Sequence, residues 1–172
     1  VSQGVREKLD FAENVLACAK TLAEEPDMER AIRRMLSQVV EFYQGDRAYV
    51  FEPGIDGKEL WNNTYEWCRE GVSRQQENLQ KVPAAVMGRW MKSFAEGQSI
   101  QIPNLDDLRE SDPQEWQMLH DQGIRRVIAV PIHRDGQLIG FLGVDNPRHC
   151  MTDDALIRML CLFVVNRFNR NR

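Results

Sequence analysis

The sequence has no long apolar run. Leu160–Val165 is uninterrupted, but it falls far short of the ~20 apolar residues that a membrane-spanning helix requires. No CxxC pair and no Cys/His cluster at zinc spacing occurs: Cys18, Cys68, Cys150 and Cys161 are dispersed, and so are His120, His133 and His149. That excludes the sequence patterns of a zinc module or a disulfide framework, and no histidine stands out as a haem ligand. There is no P-loop, GxGxxG or GxSxG, and no nucleophile–base pair, so no enzymatic activity is expected of this chain. There is no excess of basic residues: 22 Lys+Arg stand against 26 Asp+Glu, a net charge of −4. A phosphate-tracking nucleic-acid surface is therefore not expected. Val1–Lys8 is followed by Asp10, Glu13 and Asn14 rather than by an apolar core. No secretory signal is legible, and the expectation is a cytoplasmic chain with four reduced thiols and no membrane contact.

What is present is ordinary globular material. The chain has 172 residues, 42% hydrophobic and 28% charged. That length suits one domain that buries about two-thirds of its unfolded surface. Neither an internal repeat nor an interdomain linker is visible.

Periodicity sets the order of elements. At 100° per residue, the apolar positions from Val5 to Leu22 cover about half of a helix circumference. One packing face needs a stripe only somewhat over ~100° wide, so a second partner is expected for this helix. Glu24-Glu25-Pro26 breaks it. Asp27 then caps a helix over 28–43, with Gly45 as the stop. Arg47–Glu52 and Glu59–Cys68 read as two strands joined by the turn residues 53–57. Pro83 opens a helix that runs to Gly97. A short strand follows at 99–102, then an acidic helical stretch over 104–123 split by Pro113. Arg125–His133 and Gln137–Val144 flank Asp135-Gly136, a strong hairpin signal. Both strands are apolar at odd and even positions, so both must lie centrally in a sheet covered on each face. Thr152 and Asp153 cap a last helix to about Phe168. Gly140 and Gly143 read as close-packing positions in a strand.

These residues resemble a known family. VPIHRDGQLIGFLGVDNP (residues 130–147) looks like the signature hairpin of the GAF domain, and QGDRAYVFE (44–52) like the first strand of that family. NNTYEWCREGV (62–72), with NLQKVP (78–83), resembles bacterial GAF domains that are often fused to GGDEF-type diguanylate cyclases or kinase outputs. The resemblance runs from about Arg30 to the C-terminus. It implies an α+β fold with a six-stranded antiparallel sheet. The terminal helices would cover one face, and loops and short helices would close a pocket on the other. One domain over 1–172 follows, with residues 1–24 as a dimerisation helix and 152–172 as a signalling helix. The chain lacks the NKxnFxxxDE pattern of cyclic-nucleotide-binding members and the surroundings of a bilin-attachment cysteine.

Strict alternation puts Trp61, Asn63, Tyr65 and Trp67 on one face of the second strand and Glu66 on the other. An aromatic face with interleaved polar groups suits a planar ligand, and equally suits a second core. The candidate ligand-binding residues are Tyr65, Glu66, Trp67, Arg89, Trp90 and Trp116. The cofactor and ligand are unknown from sequence. Flanked by Tyr65 and Trp67, Glu66 needs a partner if buried: an arginine such as Arg69, Arg125 or Arg126, or a ligand donor. Cys161–Val165 is apolar all round a helix, so a homodimer through the first and last helices is expected. The reading is a ligand-sensing regulatory module, with a dimerising relay that holds no ligand as the alternative.

Overall fold

The computed structural model describes residues 2–171, so the expected boundaries at Val1 and Arg172 lie outside the described residues. Helix α1 spans Gln3–Glu24 and α2 spans Met28–Tyr43. Asp27 caps α2 by accepting from the Arg30 N–H at 3.2 Å. The stop is one residue earlier than expected: Gln44 takes the left-handed conformation at φ 50°. Gly45 serves a different purpose, since a Cβ there would stand 2.7 Å from Val144 Cγ2.

Strands β1 (Arg47–Gly54) and β2 (Gly57–Cys68) form the first hairpin. The region after β2 holds a 3-10 turn at Gln76–Asn78 and a two-residue strand β3, Val82–Pro83. The helix expected from Pro83 is shorter than its pattern, with a 3-10 turn at Ala84–Met87 preceding α3, Gly88–Ala95. Pro83 pairs instead with Leu60 at the sheet edge, where its missing N–H costs no ladder bond. Then come β4 (Ile100–Ile102), a 3-10 turn at Leu105–Leu108, and α4 (Pro113–Asp121). The second hairpin is β5 (Val127–Arg134) and β6 (Gln137–Asp145), and α5 covers Ala155–Asn171.

The six strands form one antiparallel sheet in the order β3-β2-β1-β6-β5-β4. Its alternating side chains divide the interior in two. Ala48, Val50, Ile128, Val130, Leu142 and Val144 face α1, α2 and α5. Tyr49, Phe51, Val127, Ala129 and Phe141 face α3, α4 and the 3-10 turns. This is the α+β arrangement the resemblance implied, and β5 and β6 are buried on both faces.

Glycine permits close approach at two places in β6. A Cβ on Gly143 would lie 2.6 Å from Tyr49 Cε1, and one on Gly140 would lie 2.7 Å from the Phe51 carbonyl oxygen.

The apolar run of α5 is divided between core and surface. Cys161 and Val164 lie in the domain's own core, while Leu162 is 65% exposed. The apolar run therefore serves the core on one side and leaves a narrower stripe outside. Arg167, buried on α5, donates to the Leu22 and Pro26 carbonyls at 2.6 and 2.9 Å. It satisfies the C-terminal carbonyl end of α1 and ties both terminal helices together. No described helix is long and apolar enough to cross a membrane.

Candidate functional site

A small cavity of about 30 Å³ lies on the face of the sheet opposite α1, α2 and α5. The sheet supplies Arg47, Tyr49, Phe51, Glu66, Phe141 and Asp145. The segment after β2 supplies Leu79 and Val82, and the cap supplies Met87, Trp90, Met118, Leu119, Gln122 and Ile124.

The polar end is built by sheet register. Arg47 stands opposite Asp145 across the β1–β6 pair, and the Arg47 Nε donates to Asp145 Oδ2 at 2.8 Å. The Tyr49 hydroxyl donates to Asp145 Oδ1 at 3.0 Å. Arg47 also donates to the carbonyls of Ser73 at 2.7 Å and Gln122 at 3.0 Å. It thereby pins the segment after β2 and the end of α4 over the cavity. Burial is the largest influence on the Asp145 carboxyl and pushes it up to about 6, against the pull of Arg47 and Tyr49. Burial also pushes the Tyr49 hydroxyl well above its ordinary value.

Glu66 closes the same wall. It accepts from the Asn63 amide at 3.2 Å and from the Gln75 and Gln76 backbone N–H groups at 3.0 and 3.1 Å. The Cys68 thiol approaches it at 3.6 Å. None of the three arginines expected as its partners forms an ion pair with it among the described residues, and two are engaged elsewhere. Arg69 pairs with Asp46, and Arg126 donates to the Pro147 carbonyl. The Arg125 backbone N–H is held by Asn146.

Of the six candidate residues, the structure brings Glu66 and Trp90 to the cavity. Arg89 lies in the cap, where its guanidinium grips Glu115 at 2.9 and 2.6 Å. Glu115 also accepts from Trp90 Nε1, so α3 and α4 are joined over the site. Trp116 donates to Asp106 and stacks on His120, its ring centroid 4.5 Å from that of the imidazole.

Tyr65 and Trp67 lie on the opposite face of the sheet from the cavity. The alternation along β2 is broken at Thr64, which has no partner in the register: Val50 faces Tyr65, but Phe51 faces Asn63. A bulge flips every later side chain. Trp61 and Asn63 stay on the cavity side, and Tyr65 and Trp67 turn toward α2. Glu66 reaches the cavity for the same reason.

Arg47, Tyr49 and Asp145 were missed by sequence reasoning. The signal was a charge at the end of each of two strands that are apolar on both faces, where an ion must be paired. Among the described residues no group of His, Cys, Asp and Glu is arranged to hold a metal ion.

Residues 27–166 match the model of the GAF domain family. The chain is 32% identical over 123 residues to "Methanogenesis regulatory histidine kinase FilI" of Methanothrix harundinacea (strain 6Ac), a match that covers 70% of this chain and 14% of that protein. Among solved structures, it is similar to the phycocyanobilin-bound GAF domain of a cyanobacterial phytochrome (TM-score 0.74, 13% identity, 93% of this chain and 94% of the other). It is also similar to the chromophore-binding domain of the bacteriophytochrome RpBphP3 from R. palustris (TM-score 0.71, 16% identity, 100% of this chain and 64% of the other). At these identities the likeness to the solved structures is one of fold.

Proposed function

This chain belongs to the GAF domain family, and from that premise we propose that it is a sensory module of a signalling protein. It couples occupancy of the cavity to the arrangement of α1 and α5. The observation that carries the reading is the placement of a partly polar cavity against the sheet, with both terminal helices packed on the other face. Several strands serve both sides at once: β1, β5 and β6 present one set of side chains to the cap and the alternate set to the helices.

The signal leaves through a homodimer. Val5, Leu9, Ala12, Leu16 and Ala19 recur at spacings of four and three along α1, the pattern of a coiled-coil seam. Leu16 is 69% exposed, and Leu162 on the neighbouring α5 is 65% exposed. Arg167 and Arg170 of α5 bind carbonyls at the C-terminal end of α1, so the two helices run parallel and would enter the bundle together. A small shift in such a bundle is a standard route to an attached output. The histidine kinase name of the FilI relative supports a kinase-type output, and the diguanylate cyclase association rests on sequence resemblance alone.

A bilin is the ligand named for the cyanobacterial phytochrome neighbour. A tetrapyrrole is many times larger than this cavity, so a smaller ligand is proposed here. A second reading, a relay that holds no ligand, is favoured by the packing of Phe51, Trp61, Trp90 and Phe94 around Phe141. Native mass spectrometry of freshly purified protein separates the two. The sensory reading expects a retained small molecule or a compound that raises the melting temperature. The relay expects the bare dimer mass and no stabilising compound.

A further inference from the structure

The charges at the cavity do not balance. Arg47, Asp145 and Glu66 all line it, at 2%, 1% and 5% exposure. Arg47 is committed to Asp145 and to two main-chain carbonyls. Glu66 has no cation within 4 Å among the described residues. Its donors are the neutral Asn63 amide, two backbone N–H groups and a thiol. Neutral donors stabilise a buried carboxylate without cancelling its charge. One guanidinium thus serves two carboxylates, with its contacts made to Asp145, and Glu66 is left with no cation of its own within 4 Å among the described residues.

Apart from Gln122, the remaining wall is aromatic and aliphatic. Tyr49, Phe51, Trp90 and Phe141 contribute rings, with Leu79, Val82, Met87 and Met118 between them. Aromatic rings attract cations as well as apolar groups. The volume is about 30 Å³. A cavity of that size holds only a ligand of a few heavy atoms without any side chain moving. An anion would add to the unbalanced charge. A hydrocarbon would leave Glu66 without a cation of its own.

We infer that the cavity takes a small organic cation of the ammonium type, its N–H groups directed to Glu66 and its carbon against the rings. Methylammonium is the smallest molecule with both parts. This rests on the sensory reading above, because it takes the cavity as the ligand site.

The test compares methylammonium chloride with sodium chloride and sodium acetate at equal ionic strength, on the full chain, by thermal shift and titration calorimetry. Methylammonium should raise the melting temperature saturably, and neither sodium salt should. Glu66→Gln should weaken methylammonium about tenfold or more. Gln can keep the oxygen that the Gln75 and Gln76 amides need, and its NH₂ can donate to Asn63 Oδ1, which lacks a partner, once the Asn63 amide turns over. If that variant fails to fold, Leu79→Phe, which fills the cavity, should abolish the response. Equal binding to wild type and to whichever variant folds would overturn the inference. Stabilisation by acetate and not by methylammonium would overturn the cation class and leave the sensory reading standing. If neither ion binds, the inference fails. If a broad panel of other small molecules also leaves the protein unmoved, the sensory reading fails with it.

Discussion

Gly143→Ala should be among the most damaging single methyl additions to this domain. The added Cβ would lie 2.6 Å from both Cε1 and the hydroxyl oxygen of Tyr49, and 2.7 Å from its Cζ. Tyr49 cannot simply swing away. It is buried, set edge-on to Phe51 at 5.5 Å, and bonded to Asp145 at 3.0 Å. Overpacking of this kind costs about 1–3 kcal/mol. Displacing the ring also removes a hydrogen bond to a buried carboxylate, worth about 1.5–3 kcal/mol. The expected total is about 2.5–6 kcal/mol, a large fraction of a typical domain stability of about 5–15 kcal/mol. Urea denaturation followed by far-UV circular dichroism measures it. Gly88→Ala is the control: nothing lies within 4 Å of its Cβ position, and the backbone is helical at φ −56°. That change should be neutral or stabilise by up to about 1 kcal/mol. The mechanism also predicts non-additivity, because removing the ring removes the clash. In a Tyr49→Ala background, Gly143→Ala should cost less than about 1 kcal/mol. The reasoning is refuted if Gly143→Ala is equally harmful in both backgrounds, or if it costs less than about 1 kcal/mol in the wild type.

Other consequences follow from burial and charge. All four cysteines are free, and burial, as the largest cause, pushes the Cys18, Cys68 and Cys161 thiols up to about 12. At pH 8 about one in ten thousand of such thiols is ionised, so native protein should react slowly with a thiol reagent, and denatured protein should show four thiols without reductant. Burial alone would raise the Asp46 carboxyl, but hydrogen bonds from Arg148 and Asn146 and the charges of Arg148 and Arg69 hold it below its ordinary value. A lowered carboxyl contributes stability that is present above its unfolded value and lost as pH falls through the folded one. Asp46→Asn should therefore flatten the loss of stability seen below about pH 4. For the dimer, Leu9→Asp with Leu16→Asp should give monomer by light scattering with the fold intact. Charging Val164 should instead unfold the domain, because that side chain is fully buried. Monomeric wild type at high micromolar concentration would end the dimer proposal.

The helices, the two hairpins and the two-sided burial of β5 and β6 were legible because each rests on local periodicity or turn chemistry. Asp135-Gly136 and the apolar residues on both sides of it sufficed for the second hairpin. The site was less legible, for one physical reason above all. Side-chain alternation carries information only while the register is unbroken, and no residue type announces the irregularity at Thr64. That single unpaired residue sent Tyr65 and Trp67 to the helices and Glu66 to the cavity. The Arg47–Asp145 pair escaped notice because its members are 98 residues apart in the chain and meet only through the β1–β6 register. β3 was hidden by its length, since two residues carry no period.

The central claim is that the cavity on one face of the sheet speaks to the helices on the other. Amide hydrogen exchange, measured by mass spectrometry in methylammonium chloride and in sodium chloride of equal ionic strength, tests it most directly. The account predicts altered protection in the cavity wall around residues 73–91, and also in α1 and α5 across the sheet. Changes confined to the wall, with α1 and α5 exchanging as before, would contradict it.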